Sequence, residues 1–176
     1  MKTLVIVIHP DMGISQINKR WREELHKFPD KYIVHDLYKT YPDGKFDIER
    51  EQKLIGSYDK IIFQFPFYWF SSPPFLKKWF DEVLLYGWAY GSKSGYKVGG
   101  KKIALAISAG VSEGDFSATG RYKYTMKELL RPFELTFEYI KADHREPFVY
   151  YGLEQNPSAE HIERSVPLYL DFIDGL

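Results

Sequence analysis

The stretch from Lys60 to Val83, KIIFQFPFYWFSSPPFLKKWFDEV, decides how the chain is read. Ile61, Ile62 and Phe63 form the apolar run expected of a strand buried on both faces of a parallel sheet. From Phe75, the residues Phe75, Leu76, Trp79, Phe80 and Val83 recur at helical spacing, with Lys77, Lys78, Asp81 and Glu82 opposite them. Ser71 or Ser72 can cap this helix, and Pro73 or Pro74 suits its first turn. Between strand and helix stand Phe65, Phe67, Tyr68, Trp69 and Phe70. Connecting loops are ordinarily polar, because burying their backbone groups is costly. A loop made of rings needs something to cover it.

Outward from this segment the pattern alternates. Leu4 to Ile8 reads as a first buried strand, followed by a helix over 15–28 with Ile17, Trp21, Leu25 and Phe28 on one face. Tyr32 to His35 is a second strand, 47–56 a short charged helix, and 60–65 the third strand. After a Gly-rich connection, GSKSGYKVGG, come a fourth strand over 102–108 and a long helix over 124–140, bent by Pro132. A fifth strand over 146–150 and a closing helix over 159–173 complete the chain. Strands alternating with helices imply a single α/β domain built on a doubly wound, five-stranded parallel sheet of order 2-1-3-4-5, with helices on both faces.

The 176 residues fit one domain with a sizeable core. Aromatics reach 18%, enough to suggest rings with work beyond the core. Lys plus Arg and Asp plus Glu number 24 each, which argues against a nucleic-acid or anionic-membrane partner. It also argues against a strongly acidic electron carrier. Cysteine is absent, so disulfides, thiolate nucleophiles and Cys-ligated zinc are excluded together. The five histidines lack metal-ligand spacing, and no G-x-G-x-x-G, Walker-type loop or G-x-S-x-G elbow is present. The apolar start, MKTLVIVIHP, is too short for a signal peptide, and no stretch approaches membrane-spanning length. A cytoplasmic protein is expected.

In the order 2-1-3-4-5 a ligand binds beyond the carboxyl ends of strands 1 and 3. The loop after strand 1, HPDMGISQIN, offers Ser15, Gln16 and Asn18 at a helix start, where backbone N–H groups and the helix dipole suit a phosphate. His9 could add a donor. The aromatic loop after strand 3 supplies a wall for a planar ring, and the small residues of SAGVSEGDFSATG, after strand 4, let backbone approach it closely. A phosphate site beside a ring site describes FMN.

These same segments, with FPFYWFSSPPFLKKWFDEVLLYGWAYG in the middle, resemble the flavodoxin-like NAD(P)H:quinone oxidoreductases. The closest likeness is to their short bacterial members, which include ancillary subunits of glutathione-gated potassium-efflux systems. The resemblance runs from strand 1 to about Gly152. It implies that His9, Ser15, Gln16, Ile17 and Asn18 hold the phosphate and ribityl chain of a flavin. Pro66, Phe67, Tyr68, Trp69 and Phe70 would line its ring, and Ser108, Ala109, Gly110 and Val111 would close the other edge. It further implies a ping-pong hydride transfer from NAD(P)H to a quinone-like acceptor, in a homodimer whose interface involves the aromatic loop and Gly87 to Tyr90. Docking to a membrane transporter is the alternative role. The chain departs from the animal enzymes after strand 4, where Phe116 and Tyr122 stand in place of a Tyr and a His. Phe116 cannot donate a hydrogen bond, which leaves Tyr122 as the candidate catalytic residue. No counterpart of the longer C-terminal part that helps larger members hold FAD is evident, so FMN is expected over FAD.

Simpler roles compete for several of these residues. Phe63, Phe65, Trp79 and Phe80 are core by spacing alone. His9 could merely cap a turn, and Ser15 is an expected helix N-cap whatever else it does. Tyr122 could be an ordinary surface tyrosine, and Glu113 and Asp115 solvated loop charges. Tyr68, Trp69 and Phe70 face either a ligand, a second subunit or one another.

Overall fold

The computed structural model describes residues 2–93, 95–154 and 156–176. Strands β1 (Thr3–Val7), β2 (Tyr32–Asp36), β3 (Lys60–Pro66) and β4 (Lys102–Ser108) pair in parallel in the order β2-β1-β3-β4. The fifth position is filled by two short pieces, β5 (Asp143–His144) and β6 (Phe148–Tyr150), both parallel to β4. The expected order is therefore found, but the expected strand over 146–150 begins earlier and is interrupted. Lys102 and Ile103 pair with Asp143 and His144, while Ala106 pairs with Phe148, so one extra residue is accommodated between them. Pro147 lies in that bulge and has no N–H to offer the ladder.

Alternate strand residues feed two cores. Leu4, Ile6, Phe63, Phe65, Leu105 and Ile107 face α3 (Ile48–Gly56), α4 (Pro74–Val83) and α6 (Arg131–Tyr139), where Ile55, Trp79, Phe80, Phe133 and Phe137 meet them. Val5, Val7, Ile62, Ala104 and Ala106 face α1 (Ile17–Leu25) and α7 (Ala159–Asp174). There Trp21 stacks on Tyr169 at 4.5 Å and donates Nε1–H to Ser165 Oγ at 2.8 Å. Phe63, Phe65, Trp79 and Phe80 are thus buried core, as their spacing predicts.

Three helix boundaries differ from expectation. The helix over 15–28 is shorter, with Gln16 in the cap position, and Phe28 lies beyond it, exposed. Ser15 still assists the start, since its Oγ accepts the Lys19 N–H at 3.3 Å. At α4 the cap position is Pro73, without a side-chain cap bond, while Ser71 is spent in the preceding turn. The helix over 124–140 is broken, not bent. Thr125 and Glu128 form a capping box on α5 (Met126–Leu129), Leu130 breaks the helix, and Pro132 sits in the first turn of α6. There its missing N–H costs nothing. A short helix, α2 (Leu37–Thr40), capped by Asp36, has no counterpart in the sequence reading. Among the described residues no helix is long and apolar enough to cross a membrane.

Candidate active site

Beyond the carboxyl ends of β1, β3 and β4 runs an open trough built by three loops and a strap. The first loop begins at His9, which is buried and accepts the Asp11 N–H on Nδ1 at 3.2 Å. In a neutral ring the proton then sits on Nε2. Burial pushes the His9 imidazole below its ordinary value, with the nearby Asp11 pulling the other way. Asp11 Oδ1 accepts the Gly13 N–H at 2.8 Å and turns the chain into α1. Among the described residues no hydrogen bond engages the backbone N–H groups of Ser15, Gln16, Ile17 or Asn18. Unpaired donors at the start of a helix form an anion-binding end.

The aromatic loop folds into a four-residue turn. Tyr68 and Ser71 exchange both backbone hydrogen bonds at 3.0 Å, and Trp69 and Phe70, between them, have φ of 50° and 60°. Such turns usually carry Asn-Gly or Gly-Gly, because a bulky residue at positive φ is strained. Here two of the largest side chains occupy both strained positions, and Trp69 is 93% exposed. Strain of this kind persists where the site has a use for it. Phe67 is tied to β4 through its N–H to Ser108 O at 2.8 Å, and the Tyr122 ring packs edge to face on Phe70 at 5.0 Å and tilted on Phe116 at 5.1 Å.

The third loop follows β4. Ser108 and Gly110 line the trough. Ala109 does not: it is fully buried, and its N–H is taken by Tyr150 O at 2.8 Å. The Gly110 carbonyl accepts the N–H groups of Leu153 and Glu154 at 2.6 and 2.9 Å, which draws the strap after β6 across the trough. A Cβ on Gly110 would meet Glu154 Cγ at 2.8 Å, so a larger residue here would push the Glu154 side chain aside.

Two adjoining cavities make up the trough. One, of about 330 Å³, is lined by His9, Ser15, Gln16, Ile17, Asn18, Pro66 and Ser108. The other, of about 510 Å³, is lined by Trp69, Phe70, Val111, Phe116 and Tyr122. Phe67, Tyr68, Gly110 and Glu154 border both. Apart from Ala109, every cofactor-binding or catalytic candidate named from the sequence lies on this one surface. Asn18 is there too, but its side chain is engaged by Ser108 and Gln64. Ile14, Leu153 and Glu154 escaped the sequence reading. The last two follow the fifth strand position, whose carboxyl end borders the same edge in this topology, and that was the available signal. Away from the trough, Glu134, Glu138 and His144 bring ligand-type atoms within 4.8 Å of one another, although Glu134 is already paired with Arg131.

Residues 1–170 match the Flavodoxin_2 family, described by its flavodoxin-like fold. The chain belongs to that family. General stress protein 14 of Treponema denticola, solved in complex with FMN, is 46% identical, with a TM-score of 0.93 over 99% of each chain. The Bacillus subtilis protein named uncharacterized NAD(P)H oxidoreductase YrkL is 46% identical over 173 residues, 98% of each chain. A structure named as an NADPH-quinone reductase from P. pentosaceus is 29% identical, with a TM-score of 0.87 over 98% of each chain. In this family's fold the ligand edge is the switch point between β1 and β3, and the trough lies there.

Proposed function

We propose that the chain is an FMN-dependent NAD(P)H oxidoreductase that reduces quinones or similar electrophilic acceptors in two alternating half-reactions. One observation carries this reading: a single trough with unpaired backbone donors at one end and an aromatic wall at the other. FMN has a phosphate, a polar chain and a flat ring in that order. The fit can be judged on the chain's own polar groups. Four N–H groups and a neutral His9 suit the phosphate end, and the rings of Phe67, Tyr68, Trp69 and Phe70 suit the flat one. Among the described residues no Lys or Arg lines the donor end of the trough to meet a second phosphate, which favours FMN over FAD. An FMN-bound relative and one named as an NAD(P)H oxidoreductase support the same reading.

The redox chemistry would be the cofactor's. In balance, NAD(P)H loses a hydride, and a quinone gains that hydride and a proton to leave as the hydroquinone. The chain's residues bind and orient. His9, Ser15, Gln16 and Ile17 hold the anionic end, with Pro66 and Ser108 on that same half; Phe67, Tyr68, Trp69 and Phe70 line the ring end, and Gly110 and Val111 close its edge. Tyr122, whose hydroxyl makes no hydrogen bond among the described residues, stands where a proton could be handed to the acceptor. NAD(P)H as donor fits work in the cytoplasm. A second copy would cover the cleft between α4 and α6, which Tyr90 lines and where Leu135 and Tyr139 are exposed.

The test is a visible spectrum of the purified protein, before and after anaerobic NADPH or NADH, with any released cofactor identified by chromatography. A yellow protein, bleached by the donor, recoloured by a quinone and releasing FMN, is the expected result, with parallel initial-rate lines for the alternating scheme. A colourless protein that takes up neither FMN nor FAD would overturn the proposal. Sedimentation velocity should give a dimer; a monomer would leave the α4–α6 face to a different partner, as the ancillary-subunit role requires.

A further inference from the structure

One chain of buried hydrogen bonds reaches the floor of the trough, and its direction can be read bond by bond. It starts on α7, where Tyr169 is fully buried and its hydroxyl is pushed well above its ordinary value by that burial, so it keeps its proton. Tyr169 lies 2.6 Å from Gln64 Oε1. Gln64 Nε2 lies 3.1 Å from the Asn18 backbone oxygen and 3.2 Å from Asn18 Oδ1. A backbone carbonyl can only accept, so the end of the Gln64 amide beside it must be the NH₂. That fixes Gln64 Oε1 toward Tyr169, which donates to it. It also fixes Asn18, whose Oδ1 accepts from Gln64 and whose Nδ2 therefore faces Ser108 Oγ, at 2.7 Å. Ser108 is thereby the acceptor of this bond. Its own O–H donates to nothing among the described residues, and it lines the donor-rich half of the trough.

We infer that Ser108 serves as a hydrogen-bond donor to an acceptor atom of the bound ligand, and that Asn18, Gln64 and Tyr169 are positioning residues that impose this direction. A carbonyl, a ring nitrogen or a ribityl oxygen could accept; an N–H edge could not. Asn18 thus acts through Ser108 and not by its own side chain on the ligand. The identity of the ligand as FMN rests on the reading above, but the relay itself is drawn from the protein's atoms alone.

The experiment is a fluorescence titration of apoprotein with FMN for wild type, Ser108→Ala, Ser108→Thr, Asn18→Asp and the Asn18→Asp/Ser108→Ala double variant. An aspartate at 18 keeps the bond from Gln64 but cannot donate to Ser108, so the serine proton should turn inward. Removing the serine hydroxyl is expected to weaken FMN by about tenfold in the wild-type background, the scale of one hydrogen bond to a ligand. In the Asn18→Asp background the same removal should change affinity by less than about twofold, since that proton has already left the ligand. The charge added at 18 is present in both members of that comparison and cancels. Ser108→Thr, which keeps the hydroxyl, should bind like wild type. Equal losses for Ser108→Ala in the two backgrounds would overturn the relay, and no loss in either would overturn the donor. If Asn18→Asp fails to fold, Asn18→Leu, which removes the donor to Ser108 Oγ while leaving the backbone acceptor of Gln64 in place, is measured in the same two serine backgrounds. Its loss should vanish when Ser108 is absent, and an undiminished loss would count against the relay. Wild-type protein that binds no flavin would instead sink the FMN reading, an outcome distinct from any of these.

Discussion

Two buried polar networks lie on opposite faces of the sheet, and they end differently. On the α3–α4 face Glu51, fully buried, accepts from Trp79 Nε1 at 2.8 Å and from Tyr41 at 2.7 Å, with His35 Nε2 also at 2.8 Å. Every member has a partner within the fold. On the α1–α7 face the chain from Tyr169 through Gln64 and Asn18 arrives at a serine proton with none. A closed network of this kind locks side chains and elements together, and nothing in it points outward. An open one at the floor of a cavity points to a ligand. Changes in the closed network should therefore move stability, and changes at the end of the open one should move binding.

The largest effect should come from the closed network. Glu51→Ala strands three buried donors, at a cost of about 3–5 kcal/mol. Thermal unfolding should fall accordingly, while FMN affinity, measured where the variant is folded, should stay within about twofold of wild type. A pH dependence accompanies it. Burial, the largest influence, pushes the Glu51 carboxyl up, but the bonds from His35, Trp79 and Tyr41 outweigh it and hold it below its ordinary 4.5. A carboxyl depressed in the folded state stabilises above its unfolded value, and that stability is lost as pH falls through the folded one. Urea melts below about pH 4.5 should therefore be less pH-dependent in Glu51→Gln than in wild type. An FMN affinity that collapsed with Glu51 would erase the distinction between the networks.

The aromatic turn should show opposite signs for stability and function. Replacing Trp69 and Phe70 by Asn and Gly puts the preferred residues at two positive-φ positions and should stabilise the fold by about 1–2 kcal/mol. The same exchange removes two rings from the wall and should weaken FMN or acceptor by about tenfold. Calorimetry and the FMN titration together decide it. If the turn is destabilised by the exchange, the rings are holding the fold and not the ligand.

That turn also marks the boundary of what could be read from the sequence. Its rings were visible as an anomaly, a loop too apolar to be a connector, and the buried runs at 61–63 and 103–107 made the parallel sheet and its switch point legible. Trp69 and Phe70 at positive φ were not legible, because aromatic residues carry no signal for that conformation. Pro132 was seen, but a proline's effect depends on whether it falls in a helix interior or a first turn, and a break at Leu130 decided that. The interrupted edge strand was hidden because β5 is two residues long. Glu51 and Gln64 look like ordinary polar residues, and Asn18 reads as a direct ligand contact. Their roles arise from partners 10 to 105 positions away, and nothing in local spacing encodes them.

A smaller effect is expected at Tyr122. Its ring packs on Phe70 and Phe116, and phenylalanine would preserve both contacts, so FMN affinity should not change. If the unpaired hydroxyl hands on a proton, Tyr122→Phe should lower kcat by about threefold to tenfold, below the usual worth of a dedicated acid. An unchanged kcat for acceptors of different proton demand would return Tyr122 to the aromatic wall.

The smallest effect concerns His9, and it tests the anionic end of the trough directly. Burial lowers its value below the ordinary 6.5, so the unfolded chain takes up a proton that the folded one resists. Stability should therefore rise with pH through the range below about 6.5 and level off above it. His9→Gln should flatten that rise. A phosphate bound among the N–H groups of Ser15 to Asn18 would bring negative charge near the imidazole and favour its charged form. An NMR titration of the His9 ring should thus show a higher midpoint with FMN bound than without it. Riboflavin, which has the ring and chain but no phosphate, should leave the midpoint where it was. If FMN and riboflavin shift His9 alike, the phosphate lies elsewhere, and the donor-rich end of the trough would need another occupant.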